Sequence, residues 1–338
     1  MNNLALALSD QGKYAEAEKM HRETLALMEK VSGKEHPHTL TNMNNLALAL
    51  SVQGKYAEAE KMHRETLALR EKASGKEHPH TLTSMNNLAQ ALSKQGKYAE
   101  AEKMHRETLA LREVSGKEHP HTLTSMNDLA QALSDQGKYA EAEKMHRETL
   151  ALREKVSGKE HPHTLTSMNN LAATLSDQRK YAEAEKMHQE TLALALIKKV
   201  LGKEHPHTLT SMNNLALALS DQGKYAEAEK MHQETLALRE KVSGKKHPDT
   251  LLSVYCLAYT LHQQGQHKEA LSLYHRACIG YEEKLGPSHP TTRACLSHYS
   301  SLRQLCSLKS ADSSRSHLNN AQGDFTHAPP QQQSQTVI

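Results

Sequence analysis

The opening segment, MNNLALALSDQGKYAEAEKMHRETLAL, recurs almost unchanged from Met43, Met85, Met126, Met168 and Met212, and more loosely from Val254. Successive starts are 42, 42, 41, 42, 44 and 42 residues apart. Such a chain does not fold around one central core. It stacks copies of a small module, each too poor in apolar surface to be stable alone. One spacing lost a Lys at Glu113-Val114 and another gained two residues within Leu194 to Val200, so both length changes fall where a second helix is expected to end.

Within one unit, Met43, Leu46, Ala47 and Leu50 follow the i, i+3, i+4, i+7 spacing of a helix with one buried stripe. Gly54-Lys55 breaks it. Tyr56, Ala59, His63, Thr66, Leu67 and Arg70 trace a second helix, with Glu60 to Arg64 and Lys61 to Glu65 pairs at i+4 on its surface. Ser74-Gly75 stops that helix, and His78-Pro79 starts the next, because proline suits a first turn whose N–H has no partner. Each unit is therefore expected to be a helical hairpin.

Composition narrows the function classes. Lys and Arg number 42 against 39 Asp and Glu, hydrophobic residues make up 37%, aromatics 4%, and Phe325 is the lone phenylalanine in a chain without tryptophan. One large aromatic-packed enzyme domain does not fit these numbers. The longest aliphatic run, Leu192 to Ile197, is far too short to span a bilayer, and Leu4 to Leu8 lacks the basic flank of a secretory signal. Cys256, Cys278, Cys295 and Cys306 lie in the last quarter without a CxxC pair, so no disulfide or zinc framework is expected and a cytoplasmic setting is.

The expected units run over 1–35, 36–77, 78–118, 119–160, 161–204, 205–246 and 247–288, with a closing helix at 289–308. The last unit has the bulk of an end cap in Tyr255, Cys256, Tyr259 and Tyr274. Beyond Lys309 the composition turns to Ser, Gln, Asn and Pro, which buries too little to fold, so 309–338 is expected to be disordered.

The order Leu46-Ala47, Gly54-Lys55-Tyr56, Ala59-Glu60, Leu67 and then Gly75-Lys76-Glu77-His78-Pro79 resembles the tetratricopeptide repeat in its longer, kinesin light chain-like form. The near-identity of the units resembles the C-terminal arrays of fungal NOD-like receptor proteins more than an animal light chain. The resemblance covers roughly residues 1–308. It implies an all-α, right-handed superhelical solenoid of about seven hairpins whose first helices line a concave, peptide-binding groove. Two departures stand out: no heptad coiled coil for a kinesin heavy chain and no GxxxxGK[ST] for a nucleotide-binding domain.

On that geometry Asn44, Asn86, Asn127, Asn169 and Asn213 form a column of amides able to pair with a peptide backbone. One turn further the residue varies among units: Leu48, Gln90, Gln131, Ala173, Leu217. A further turn gives Val52, Lys94, Asp135, Asp177 and Asp221. This variation reads either as a tuned binding surface or as drift at exposed positions. The amide column likewise reads as groove contact or as packing between first helices.

The 24 histidines invite a metal reading, which spacing weakens. His21, His63, His105, His146, His188 and His232 sit in second-helix stripes, and packed helices stand about 8–10 Å apart, too far for their rings to converge on one ion. They are expected to be buried, with a second ring nitrogen hydrogen-bonded. In the His-Pro-His loops, such as His36 and His38 or His78 and His80, Asp249 replaces the second histidine in one unit, which indicates a helix-start role. No metal or cofactor is expected.

Repetition also argues against catalysis, since nearly every Ser, His, Asp and Glu has several equivalents, whereas a reaction centre is one asymmetric set. The unusual residues Cys256, Cys278, His262, His267 and His275 carry no catalytic signature. Nucleic acid is not expected either, because charge is balanced and no basic stripe carries aromatics. The first unit lacks the His-Pro start, leaving Leu4 and Leu8 as a self-association surface or as the edge of a longer array. The expected protein is a non-enzymatic scaffold for peptide segments of partner proteins. A cargo adaptor and a receptor sensor fragment are the narrower alternatives.

Overall fold

The computed structural model describes residues 2–196 and 201–322, with side chains placed through residue 308. Fifteen helices and no strands occur among the described residues. The first helices of successive units are α1 (Asn2–Asp10), α3 (Pro37–Val52), α5 (Pro79–Lys94), α7 (Pro120–Asp135), α9 (Pro162–Asp177), α11 (Pro206–Asp221) and α13 (Pro248–Gln263). Their partners are α2 (Tyr14–Ser32), α4 (Tyr56–Ser74), α6 (Tyr98–Glu113), α8 (Tyr139–Ser157), α10 (Tyr181–Leu196), α12 (Tyr225–Ser243) and α14 (His267–Leu285). The closing helix α15 runs Pro290–Gln322, so it extends past the expected stop at residue 308 and takes in 309–322, expected to be disordered. The rest of the expected tail, 323–338, and positions 197–200 of the two-residue insertion lie outside the described residues.

Local chemistry sets each boundary. First helices begin at proline, and the preceding histidine caps them: His78 Nδ1 accepts from the backbone N–H of His80 at 3.2 Å, and His247 Nδ1 does the same from Asp249 at 3.2 Å. This helix-start role is shared by the His-Pro-His and His-Pro-Asp loops. First helices end on a residue in the left-handed region, glycine in every unit but the fifth, as at Gly54, φ 75°, where Lys55 N–H reaches back to the Leu50 carbonyl at 3.0 Å.

The core is a ladder of small clusters in place of one mass. Leu46, Leu50 and Ala59 are buried against Leu25 of the preceding unit and Met62 of their own, and the pattern repeats up the array. A larger cluster closes the C-terminal end, where Tyr274, Tyr281, Cys278, Cys295 and Leu302 pack together. Between units runs a polar clamp. Glu60 of α4 accepts from its own Arg64 at 2.9 Å, and from Gln95 at 2.8 Å and Lys97 at 2.6 Å in the next unit's turn. Glu18, Glu102, Glu143 and Glu185 grip the following Gln and Lys in the same way.

The superhelix closes on itself. His247 Nε2 lies 3.1 Å from the carbonyl oxygen of Asp10, and a Cβ on Gly12 would stand 2.7 Å from Pro248 Cδ. One unit further along, a Cβ on Gly54 would stand 2.7 Å from His289 Cδ2. Both contacts join a first-helix turn to the His-Pro start of a unit one coil above, so the N-terminal units sit directly beneath the C-terminal ones.

Candidate functional site

The candidate groove is the row of first helices, and the residues expected there divide into two groups. Leu48, Gln90, Lys94, Gln131, Asp135, Ala173, Asp177 and Asp221 are exposed, and Leu217 is half-buried. The asparagines are not open to a ligand. Asn44, Asn86, Asn169 and Asn213 are buried, with Asn127 half-buried, because the next unit's first helix covers them.

Their amides are spent between units. Asn45 Nδ2 donates to Asn2 Oδ1 at 3.2 Å, Asn87 to Asn44 at 3.0 Å, and Asn170 to Asn127 at 3.2 Å. Asn169 donates to Ser211 at 2.8 Å and Asn213 to the Cys256 sulfur at 3.5 Å. Buried amides need such partners. The column is therefore packing between first helices, and the open surface begins one turn further along.

That surface holds two adjoining clefts. One, of 280 Å³, lies between α3 and α5, lined by Leu48, Val52, Gln90 and Lys94, with Tyr56 and His289 closing its end. The other, of 230 Å³, lies between α5 and α7 and shares Gln90 and Lys94 with the first. Its remaining lining is Ser93, His105, Asp128, Gln131, Ala132 and Asp135. Further along, burial raises the Asp177 carboxyl, against a hydrogen bond from Ser134 at 3.4 Å, and Asp135 pushes the same way. Burial, then Asp177, raises Asp221. The row thus runs from apolar Leu48 and Val52 to a line of carboxylates.

Ser93, Asp128 and His289 line these clefts without belonging to the expected rows. Asp128 was visible as a departure, since equivalent positions hold Asn45, Asn87 and Asn170. His289 reaches its cleft only through closure of the coil, which no single unit foretells.

The second-helix histidines are buried, at 0–2% exposure, with burial lowering His63, His105, His146, His188 and His232 to about 4. His21, His105 and His188 each meet an asparagine through Nδ1, at 2.9, 3.2 and 3.2 Å. His63, His146 and His232 have no partner at either ring nitrogen, so the expected second bond is absent there. Among the described residues, no group of three or more His, Cys, Asp or Glu is placed to hold a metal ion, and no helix is long and apolar enough to cross a membrane. Leu4 is 56% exposed, whereas Leu8 is half-buried.

The sequence matches the tetratricopeptide repeat family over residues 1–72, 43–113, 91–155 and 121–196, and again over 208–249 and 250–291. The chain belongs to that family, in its kinesin light chain-like form. Two crystal structures of a Podosopora anserina protein, described as a kinesin light chain of nearly identical TPR-like repeats, are 29% and 28% identical to it. Each aligns 61% of this chain with 97% of the other, at TM-scores of 0.51 and 0.50. A Rap protein complexed with competence and sporulation factor aligns over 90% of this chain and 96% of its own at a TM-score of 0.53. Its 10% identity makes that a likeness of fold alone. No curated protein sequence matches.

Proposed function

We propose that the chain is a non-enzymatic, cytoplasmic scaffold that holds an extended peptide segment of a partner protein along the exposed row of first helices. The observation that carries this reading is where the units differ. Surfaces that hold units together are copied almost unchanged, from the asparagine ladder to the Glu–Gln–Lys clamp, while the row Leu48, Gln90, Gln131, Ala173 and Leu217 varies along the array and the next row passes from Val52 and Lys94 to a constant Asp135, Asp177 and Asp221. The two clefts lie where that variation is greatest, and such concave surfaces suit side chains of a bound segment.

The test is site-specific photo-crosslinking in the full chain, with the photoreactive residue at position 90 or 131 and, as control, at Lys144 on a second helix. Captured segments should label the first two sites and spare the third. Gln90→Ala, Lys94→Ala and Gln131→Ala combined should weaken capture at least tenfold with helicity unchanged; equal labelling at all three sites overturns the reading. Among narrower roles, a cargo adaptor is favoured by the likeness to the Podosopora anserina protein described as a kinesin light chain. Self-association through the exposed Leu4 and Leu6 is a separate proposal, and light scattering that finds only monomer at high concentration rejects it.

A further inference from the structure

The asparagine ladder carries a charge at one rung, in the fourth unit. At three rungs the second asparagine of a unit donates to the first asparagine of the unit before: Asn45 to Asn2, Asn87 to Asn44 and Asn170 to Asn127. In the fourth unit that second residue is Asp128, and a carboxylate has no proton to donate. The bond is reversed: Asn86 Nδ2 donates to Asp128 Oδ2 at 2.6 Å, while Asn86 Oδ1 faces His105 Nδ1 at 3.2 Å. Among the described residues the Asp128 hydrogen bond is made at Oδ2, and none is made at Oδ1.

Asp128 forms part of the 230 Å³ cleft between α5 and α7. Ser93, 9% exposed, lines the same cleft with an Oγ that has no hydrogen-bond partner. The charged and titratable groups around Asp128 come from four helices. Lys94 on α5 is exposed and makes no ion pair among the described residues. From α6 come His105, which burial keeps neutral to about pH 4, and Arg112, whose Nη1 is committed to the His121 carbonyl at 3.0 Å. Asp135 on α7 accepts from Gln131 at 2.9 Å, and Arg153 on α8 donates to the His163 carbonyl at 2.5 Å. Burial raises the Asp128 carboxyl to about 6 although Arg112 and Arg153 pull it down. Neither arginine hydrogen-bonds to it. A desolvated carboxylate with an unused oxygen gains most from a charged donor.

We propose that this cleft is a specificity subsite that takes the cationic side chain of a lysine or arginine from the segment in the groove, with Asp128 Oδ1, Ser93 Oγ and the Gln90 amide oxygen as its acceptors. The subsite rests on the groove reading for its peptide, but not for its cation. It gives one unit of a nearly uniform array a preference the others lack.

The test uses the intact chain and Asp128→Asn, which restores the residue found at the equivalent positions and so leaves the ladder able to form. n-Butylammonium chloride is titrated at constant ionic strength while the side-chain amide NMR signals of Gln90 and Gln131 are followed. Saturable shifts are expected at pH 7.5, with affinity at least tenfold weaker in Asp128→Asn and similarly weaker at pH 5. Shifts that fail to saturate, or that are equal in the variant, overturn the subsite. In parallel, a displayed peptide library selected on both chains should be enriched for Lys or Arg at one position on the wild type and lose that preference tenfold on the variant. Peptides captured without a basic preference overturn the subsite and leave the groove standing. Saturable butylammonium binding with no peptide captured by either chain does the reverse.

Discussion

Lys97 Nζ, in the turn of the third unit, lies 2.6 Å from Glu60 Oε2 on the second helix of the unit before. Burial alone would raise the Glu60 carboxyl, but hydrogen bonds from Lys97, Gln95 and Arg64 outweigh it and hold the group at about 2. Five carboxylates make this grip, so it repeats as faithfully as the apolar contacts beneath it. Glu60→Gln should cost about 1 kcal/mol, a modest figure because Lys97 and Arg64 both reach solvent and screening thins their pull. A group held below its ordinary value contributes stability above pH 4.5, which is lost as pH falls towards 2. Chemical denaturation at pH 7 and pH 3 should therefore separate wild type and variant at the first pH and bring them closer at the second.

The buried histidines set a different window. Five rings that stay neutral to about 4 when folded titrate at 6.5 when unfolded, so the unfolded chain takes up protons first as pH falls. Their stabilisation is complete above pH 6.5 and declines towards pH 4, by up to about 1.4 kcal/mol per pH unit for each ring. His63→Leu removes a ring with no hydrogen-bond partner and should flatten this dependence at little cost at pH 7.5. His105→Leu strips a partner from Asn86 and should destabilise at both values. Thermal melts at pH 7.5 and pH 5 give the comparison; identical pH dependence in wild type and His63→Leu would count against it.

Much of this architecture was legible because the copies can be compared with one another. Proline at the start and glycine at the stop fixed the hairpins, and Asp249 in place of a histidine exposed the capping role of His247. The asparagine column lies deeper than the repeat pattern alone indicates, for a physical reason. A helical wheel separates the face packed on a unit's own second helix from the rest, but not the flank that the next first helix covers. Asn44 lies on that flank and Leu48 clears it. The sequence held a usable signal in the constancy of Asn44, Asn86, Asn127, Asn169 and Asn213 beside the changeable Leu48, Gln90 and Gln131. Closure of the coil was beyond reach, since it depends on small rotations summed over several units.

That closure predicts a contrast between two glycines of equivalent turns. Gly12 has φ 70° and Gly96 φ 77°, so alanine at either incurs the same left-handed penalty of about 1 kcal/mol. Only at Gly12 would the added Cβ strike another part of the chain, 2.7 Å from Pro248 Cδ; at Gly96 nothing lies within 4 Å. Gly12→Ala should therefore loosen the contact between coils and raise the radius of gyration in small-angle X-ray scattering, while Gly96→Ala should leave it unchanged. Equal scattering from both variants would mean that the coils do not touch in solution.

The fifth unit performs the opposite substitution in its own turn. Arg179 stands where the other first-helix turns have glycine, and it is the single non-glycine residue with positive φ among the described residues, at 61°. The turn keeps its form: Arg179 N–H reaches the Ser176 carbonyl at 2.8 Å and Lys180 N–H the Leu175 carbonyl at 2.9 Å. An L-residue held there costs about 1–2 kcal/mol, and among the described residues no hydrogen bond or ion pair from the Arg179 side chain offsets it. Arg179→Gly should recover about 1 kcal/mol, somewhat less than the full penalty because glycine also loses more backbone freedom on folding. Since the fifth unit packs on its neighbours along the stack and takes no part in the closing contacts at Gly12 and Gly54, the gain should be local. Amide exchange should slow at residues 175–180 and in the facing start of α10, while exchange in α3 and α13 stays as it was. Faster exchange at 175–180 in the variant would show that the arginine stabilises this turn through a contact its backbone angle conceals.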